Sequence, residues 1–328
     1  MTIAKAFSQG IRSVNGRKRL VFLFYGVTTI WAIAVAAPVM AILLASLGGS
    51  AWPERMTANF DVQWVAEMLV GDTSVVFAPA IAAGMLVFAL AAIAHLFLIG
   101  GALELFRTEE RFSLEAFMRG CGRHFWRFVR LALLAGVGLA LLLVLNRGIV
   151  SIGTKIWGEG SVQGPLVHWS WFRMAVVLAL FALGNLVFDY ARVRMVAEDS
   201  RKAFRSLLAA TRFVFANFGR TVSLYALVWL ILLALVAIYW IASGAIGQTA
   251  LAAVMVVFLL RQAMVLAKTW TQLLFASTET EMFRALTPVS VPAPVPEPPA
   301  VEPEPPPVLA GPPTDPATAA APVDPPTA

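Results

Sequence analysis

Residues 20–47 read LVFLFYGVTTIWAIAVAAPVMAILLASL, without one charged side chain, and this stretch decides the class of fold. A hydrocarbon core about 30 Å thick is crossed by roughly 20 helical residues, so the run is long enough to span it. It is also far longer than a signal-peptide core, and reads as an uncleaved span. Lipid offers no hydrogen bonds. A backbone in that solvent must satisfy its own N–H and C=O groups, which leaves helices or closed barrels. Uninterrupted apolar runs exclude the roughly ten-residue alternating strands of a barrel. The expected fold class is therefore all-α, a polytopic transmembrane helix bundle.

Five further runs extend the pattern outward: about 75–101, 128–148, 172–190, 221–242 and 250–276. With 59% apolar and 13% charged residues and a mean hydropathy of +0.78, the chain lies outside the soluble globular range. Sixteen uncharged residues lie between Arg130 and Arg147, and 15 between Arg173 and Asp189. At 1.5 Å per residue these runs reach only about 24 Å and 22 Å, so their flanking arginines are expected to snorkel. The sixth run is interrupted by Arg261 and Lys268.

Lys and Arg concentrate in the amino-terminal segment 1–19 and in the second and fourth gaps, 18 in all against 4 in the first, third and fifth gaps. By the positive-inside rule the rich side is cytoplasmic, placing both termini inside a bacterial inner membrane. The basic residues border spans, so anionic lipid headgroups rather than nucleic acid are their expected partners.

Two of the basic gaps share a design. Leu114, Phe117, Met118, Cys121, Phe125 and Phe128 recur at helical spacing, and so do Phe204, Leu207, Leu208, Thr211, Phe215 and Phe218. Arginines fall on the other faces. Two interfacial amphipathic helices are expected, each preceding a span, in a loose internal duplication.

Phe188-Asp189-Tyr190-Ala191-Arg192, then Glu198-Asp199, then Ala203 to Arg212 and the following span, carry a resemblance. This pattern resembles uncharacterised six-span bacterial membrane proteins, including the membrane domain attached to some glycerophosphodiester phosphodiesterases, over about residues 90–285. The resemblance implies a multi-pass architecture with no assigned activity. The phosphodiesterase does not carry over, since no soluble segment of this chain supplies its carboxylates and metal ligands.

Polar groups inside spans are where function is sought, because each costs a few kcal/mol unless paired or hydrated. The expected intramembrane cluster comprises Arg261, Asp189, His95, Glu104 and Asn185, with Arg261 pairing with Asp189 and Gln262 nearby. Such a pair closes a bundle or lines a pathway. A lone span histidine such as His95 is ordinarily a packing residue, and His95, His124 and His168 lack metal spacing, so no metal or cofactor is expected. No HExxH, Walker or GxGxxG pattern occurs, and the single cysteine, Cys121, excludes an internal disulfide. Small residues Ala80, Ala83, Gly84, Ala91, Ala94 and Gly101 mark a packing face of the second span.

From 286 to 328 the composition changes. Sixteen of the 20 prolines lie here with five acidic and no basic residues, a disordered tail of polyproline character able to dock a protein partner. The expected function is a non-enzymatic membrane scaffold or accessory protein. The alternative is a small transporter or channel using Arg261, Asp189 and His95; a membrane-embedded lipid enzyme comes third.

Overall fold

The computed structural model describes residues 3–47, 74–157, 165–246 and 251–287. The proline-rich tail and its docking motif lie outside the described residues. Among the described residues the helices are α1 (Ile3–Asn15), α2 (Lys18–Leu47), α3 (Ser74–Thr108), α4 (Leu114–Trp157), α5 (Pro165–Ala197), α6 (Ala203–Ala216), α7 (Phe218–Gly244) and α8 (Leu251–Leu286). Six of them, α2, α3, α4, α5, α7 and α8, are long and apolar enough to cross a membrane. Among the described residues there is no strand. The chain is an integral, multi-pass, helical membrane protein.

Among the described residues the loose duplication extends to a third instance of the same helix order. Each is an amphipathic helix followed by two spans: α1 with α2 and α3, the first turns of α4 with its remainder and α5, and α6 with α7 and α8. α1 falls in the segment 1–19, whose apolar spacing is plain in retrospect: Ala6, Gly10 and Val14 are buried. Its counterparts are Ser206, Ala210 and Val214 in α6 and Phe117, Cys121 and His124 in α4. α4 packs on α3 and α6 on α5, the span that precedes each; α1, with no span before it, packs on α8 and closes the arrangement.

Local chemistry decides whether an amphipathic helix breaks from its span. At Asn217 the backbone N–H and the side-chain Nδ2 both donate to the Phe213 carbonyl, at 3.0 and 3.1 Å, ending α6. The Asn217 carbonyl then accepts from the Thr221 N–H and starts α7. Asn15-Gly16 breaks α1 from α2 in the same place. Asn and Gly favour such ends because one competes for backbone hydrogen bonds and the other gains most from leaving a helix. α4 has His124-Phe125-Trp126-Arg127 there and runs through as one 44-residue helix, about 66 Å long. The third run is therefore not short: its helix extends beyond both Arg130 and Arg147.

The tightly packed core sits at the end that carries the amphipathic helices, where Phe24, Phe106, Phe117, Phe128, Tyr190 and Phe283 are buried. Toward the other end Ile30, Met85, Leu141, Phe181 and Leu233 are exposed, as lipid-facing side chains are. Two arginines far apart in the chain, Arg17 before α2 and Arg284 near the end of α8, close α3. Arg17 donates to the Leu105 carbonyl at 3.2 Å, and Arg284 donates to the carbonyls of Phe106, at 2.7 Å, and Arg107. These are orphan acceptors at the negative end of a helix dipole. The first and last helices thus meet at the basic end.

Candidate functional site

The second span of each unit, α3, α5 and α8, touches the other two at the centre of the bundle. Their registers match. Aligned on the small residues Gly101, Ala191 and Thr278, the polar residues His95, Asn185 and Gln272 fall at one level, Ile99, Asp189 and Ala276 a turn further, and Ala102, Arg192 and Glu279 a turn beyond. Positions four apart share a helix face, so each span presents a polar row to a common space. That space is a cavity of about 210 Å³, lined by His95, Asn185, Asp189, Arg192, Gln272 and Glu279 and walled by Tyr225, Trp229 and Phe275.

Most of its polar groups are satisfied. Arg192 donates to Asp189 at 2.9 Å, Asn185 donates to Asp189 at 3.2 Å and to the Tyr225 hydroxyl at 2.9 Å, and Gln272 meets His95 Nε2 at 3.3 Å. Glu279 stands apart. Only 4% exposed, it has an Oε1 with no hydrogen-bond partner. A second cavity, about 670 Å³ between α2, α3 and α8, shares His95 and Gln272 as part of its wall and holds Arg261, Gln262 and Lys268.

Of the residues expected to cluster, His95, Asn185 and Asp189 come together; Arg261 and Glu104 do not join them. The expected Arg261–Asp189 pair is not made, because Asp189 lies level with Ala276 and Arg261 is some 22 Å further along α8. Asp189 takes Arg192, one turn away on its own helix. Gln262 instead accepts from the Tyr25 hydroxyl at 2.9 Å. Glu104 is held by His124 Nε2 at 3.0 Å and by Arg107 at 2.6 Å, with Arg123 at 3.5 Å. Its row is the outer face of α3, against α4.

Sequence reasoning missed Gln272, Glu279, Arg192 and the aromatic wall. The signal was there: Gln272 and Glu279 are seven apart, two turns on one face. Ending the sixth span at residue 276 put Glu279 outside it.

No family model, curated protein or solved structure matches this chain. Among the described residues no group of His, Cys, Asp and Glu is placed to hold a metal ion.

A second polar feature lies at the basic end, a groove of about 360 Å³ lined by Arg123, Trp126, Arg127, Arg130, Asp199 and Arg201. Asp199 ends α5 in the left-handed region, φ 49°, with the Ser200 N–H returning to the Met195 carbonyl at 3.1 Å. Its carboxylate accepts from Arg127 at 2.5 Å and from Arg123 at 2.8 Å, tying the corner to α4. The hydrogen bond from Arg127 chiefly, and that from Arg123, hold the Asp199 carboxyl below its ordinary value. A depressed carboxyl contributes stability above the unfolded value of about 3.9 and loses it as pH falls through the folded one. Hydrogen-exchange protection of residues 199–203 is expected to stay level from neutrality to about pH 4 and to drop only below that. Asp199→Asn should show the reduced protection at every pH.

Proposed function

We propose that this chain is a non-enzymatic membrane protein that takes a small polar ligand into the centre of its bundle, in the manner of a transporter's binding site. One observation carries the reading: Glu279, buried and with an unpartnered carboxylate oxygen, lines a cavity where three repeated units converge. A pure scaffold has no use for such a group, since an unsatisfied buried carboxylate costs several kcal/mol that a hydrophobic residue would not. Arg261 and Lys268 in the adjoining cavity oppose the free passage of a cation, so the arrangement is a one-sided binding site rather than an open pore. The basic end faces the cytoplasm of a bacterial inner membrane, with the Arg123–Arg201 groove against anionic headgroups.

Entrance counterflow in proteoliposomes tests the reading, using cationic, anionic, zwitterionic and neutral small solutes. One class is expected to accumulate with wild-type protein, and Glu279→Gln to reduce that uptake at least tenfold at equal reconstitution, about 1.4 kcal/mol. No accumulation of any class above protein-free vesicles returns the chain to the scaffold reading. For sidedness, Cys121→Ser with Thr314→Cys should react with an impermeant thiol reagent only after lysis. Labelling of intact cells would overturn the cytoplasmic placement.

A further inference from the structure

We infer that the central cavity recognises an organic ammonium group, a small amine or quaternary nitrogen bearing one positive charge. The inference rests on the polar-ligand reading above and adds the ligand's chemistry.

Charge is the first argument. Asp189 and Arg192 answer one another at 2.9 Å, which leaves Glu279, among the described residues, as the acidic group on the cavity wall with no bonded counter-charge. A group so placed is neutralised by a proton or by a cation, and a cavity beside it leaves room for the cation. One negative charge calls for one positive charge.

The aromatic part of the wall says what kind. Tyr225, Trp229 and Phe275 form a triangle of rings, with centroids 5.2 Å apart for Tyr225–Phe275, 6.2 Å for Trp229–Phe275 and 6.3 Å for Tyr225–Trp229. Asn185 Nδ2 donates to the Tyr225 hydroxyl at 2.9 Å and fixes that ring. Aromatic faces attract cations, most strongly where water is excluded. A hard inorganic cation needs about six oxygen ligands in exchange for its hydration shell; with Asp189 engaged by Arg192, the lining offers Glu279, Asn185 and Gln272 beside the rings, about half that number. An alkylammonium is less strongly hydrated than a small metal ion, least of all when quaternary, and brings its own apolar groups to the rings. The space, about 210 Å³, lies below the range of drug-sized pockets and suits such a group.

Entry is from the flank between α5 and α7, where Asn185 and Trp229 are exposed, and not through the second cavity with Arg261 and Lys268. That flank faces lipid. The ammonium therefore comes either from a free amine or from an aminophospholipid headgroup, and the same chemistry recognises both.

Thermal unfolding of the full chain in phosphatidylglycerol nanodiscs, whose lipid carries no amine, separates these outcomes. Tetramethylammonium, choline and ethanolamine are expected to raise the midpoint saturably, whereas 3,3-dimethylbutanol, the neutral carbon analogue of choline, leaves it unchanged. Trp229→Ala should weaken the apparent affinity on the order of tenfold, with Trp229→Phe retaining most of it. If phosphatidylethanolamine discs raise the midpoint and abolish the response to choline, the headgroup is the source; if they do not, the free amine is. An equal shift with the neutral analogue, or a shift with anionic or neutral polar solutes alone, overturns the ammonium inference and leaves the polar-ligand reading standing. No shift with any solute or lipid overturns both. The comparison of choline with its analogue uses the native chain, so the test survives a variant that fails to fold.

Discussion

Gly101→Val is expected to cost about 3 kcal/mol or more, a large part of the 5–15 kcal/mol that folded proteins commonly hold. A Cβ at Gly101 would stand 2.6 Å from the Phe117 carbonyl oxygen, 2.6 Å from Cys121 Sγ and 2.7 Å from the Phe117 ring. The carbonyl is backbone and cannot rotate away, so α3 and α4 must separate. From the other side a Cβ at Gly120 would lie 2.8 Å from Glu104 Cβ and 3.1 Å from Gly101 Cα. The crossing depends on two glycines, one on each helix, as close helix contacts in lipid do. Gly84→Val is the control in the same helix: nothing among the described residues lies within 4 Å of a Cβ there, and its effect should be small. Unfolding by titration with SDS measures both. Equal stability of the two variants would show that the α3–α4 contact does not hold the bundle together. Gly10 makes the same kind of contact with Thr278, where a Cβ would meet Cγ2 and, at 3.1 Å, the backbone Cα.

Glu104→Ala is expected to cost about 3 kcal/mol, the effect of removing one partner from a buried ion pair. His124 is 1% exposed and, among the described residues, its Nδ1 has no partner and its Nε2 meets Glu104. Without that carboxylate the buried ring loses its polar contact, and Arg107 and Arg123 lose theirs. Glu104→Gln retains an acceptor for one donor and should cost less, about 1 kcal/mol. The same SDS titration tests the series. An alanine variant within about 0.5 kcal/mol of wild type would mean that the cluster is a solvated surface network.

Helical class and the six apolar helices were legible because both follow from local chemistry. Leu20–Leu47 has no charge to expose and no way to satisfy its backbone in lipid except as a helix. Helix ends were less legible. The third run looked too short between Arg130 and Arg147, yet α4 continues past both, since nothing at His124–Arg127 breaks it while Asn217 breaks α6 from α7. The third amphipathic helix went unread because its basic residues, Lys5 and Arg12, marked residues 1–19 as a charged flank, although Ala6, Gly10 and Val14 keep helical spacing.

Candidate site residues divide along the same line. His95, Asn185 and Asp189 stand out in sequence as polar groups in apolar spans, and the cavity brings them together. Arg261 stands out as strongly, yet it lines a different cavity, and Glu104 turns to α4. Polarity in a span can be read one residue at a time. Partnership cannot.

By itself, then, the sequence determined the solvent, the helical class and the basic end of the bundle, because hydrophobicity, backbone satisfaction and charge act on each segment independently. Only the tertiary structure decided that α3, α5 and α8 meet one another, with α1 seated on α8, and that His95, Asn185 and Gln272 line one cavity. It also decided which carboxylate is left without a donor, Glu279 and not Asp189. These depend on the relative register of helices far apart in the chain. That register is set by close backbone contacts such as Gly101 on Phe117 and Gly10 on Thr278, which no single segment specifies alone.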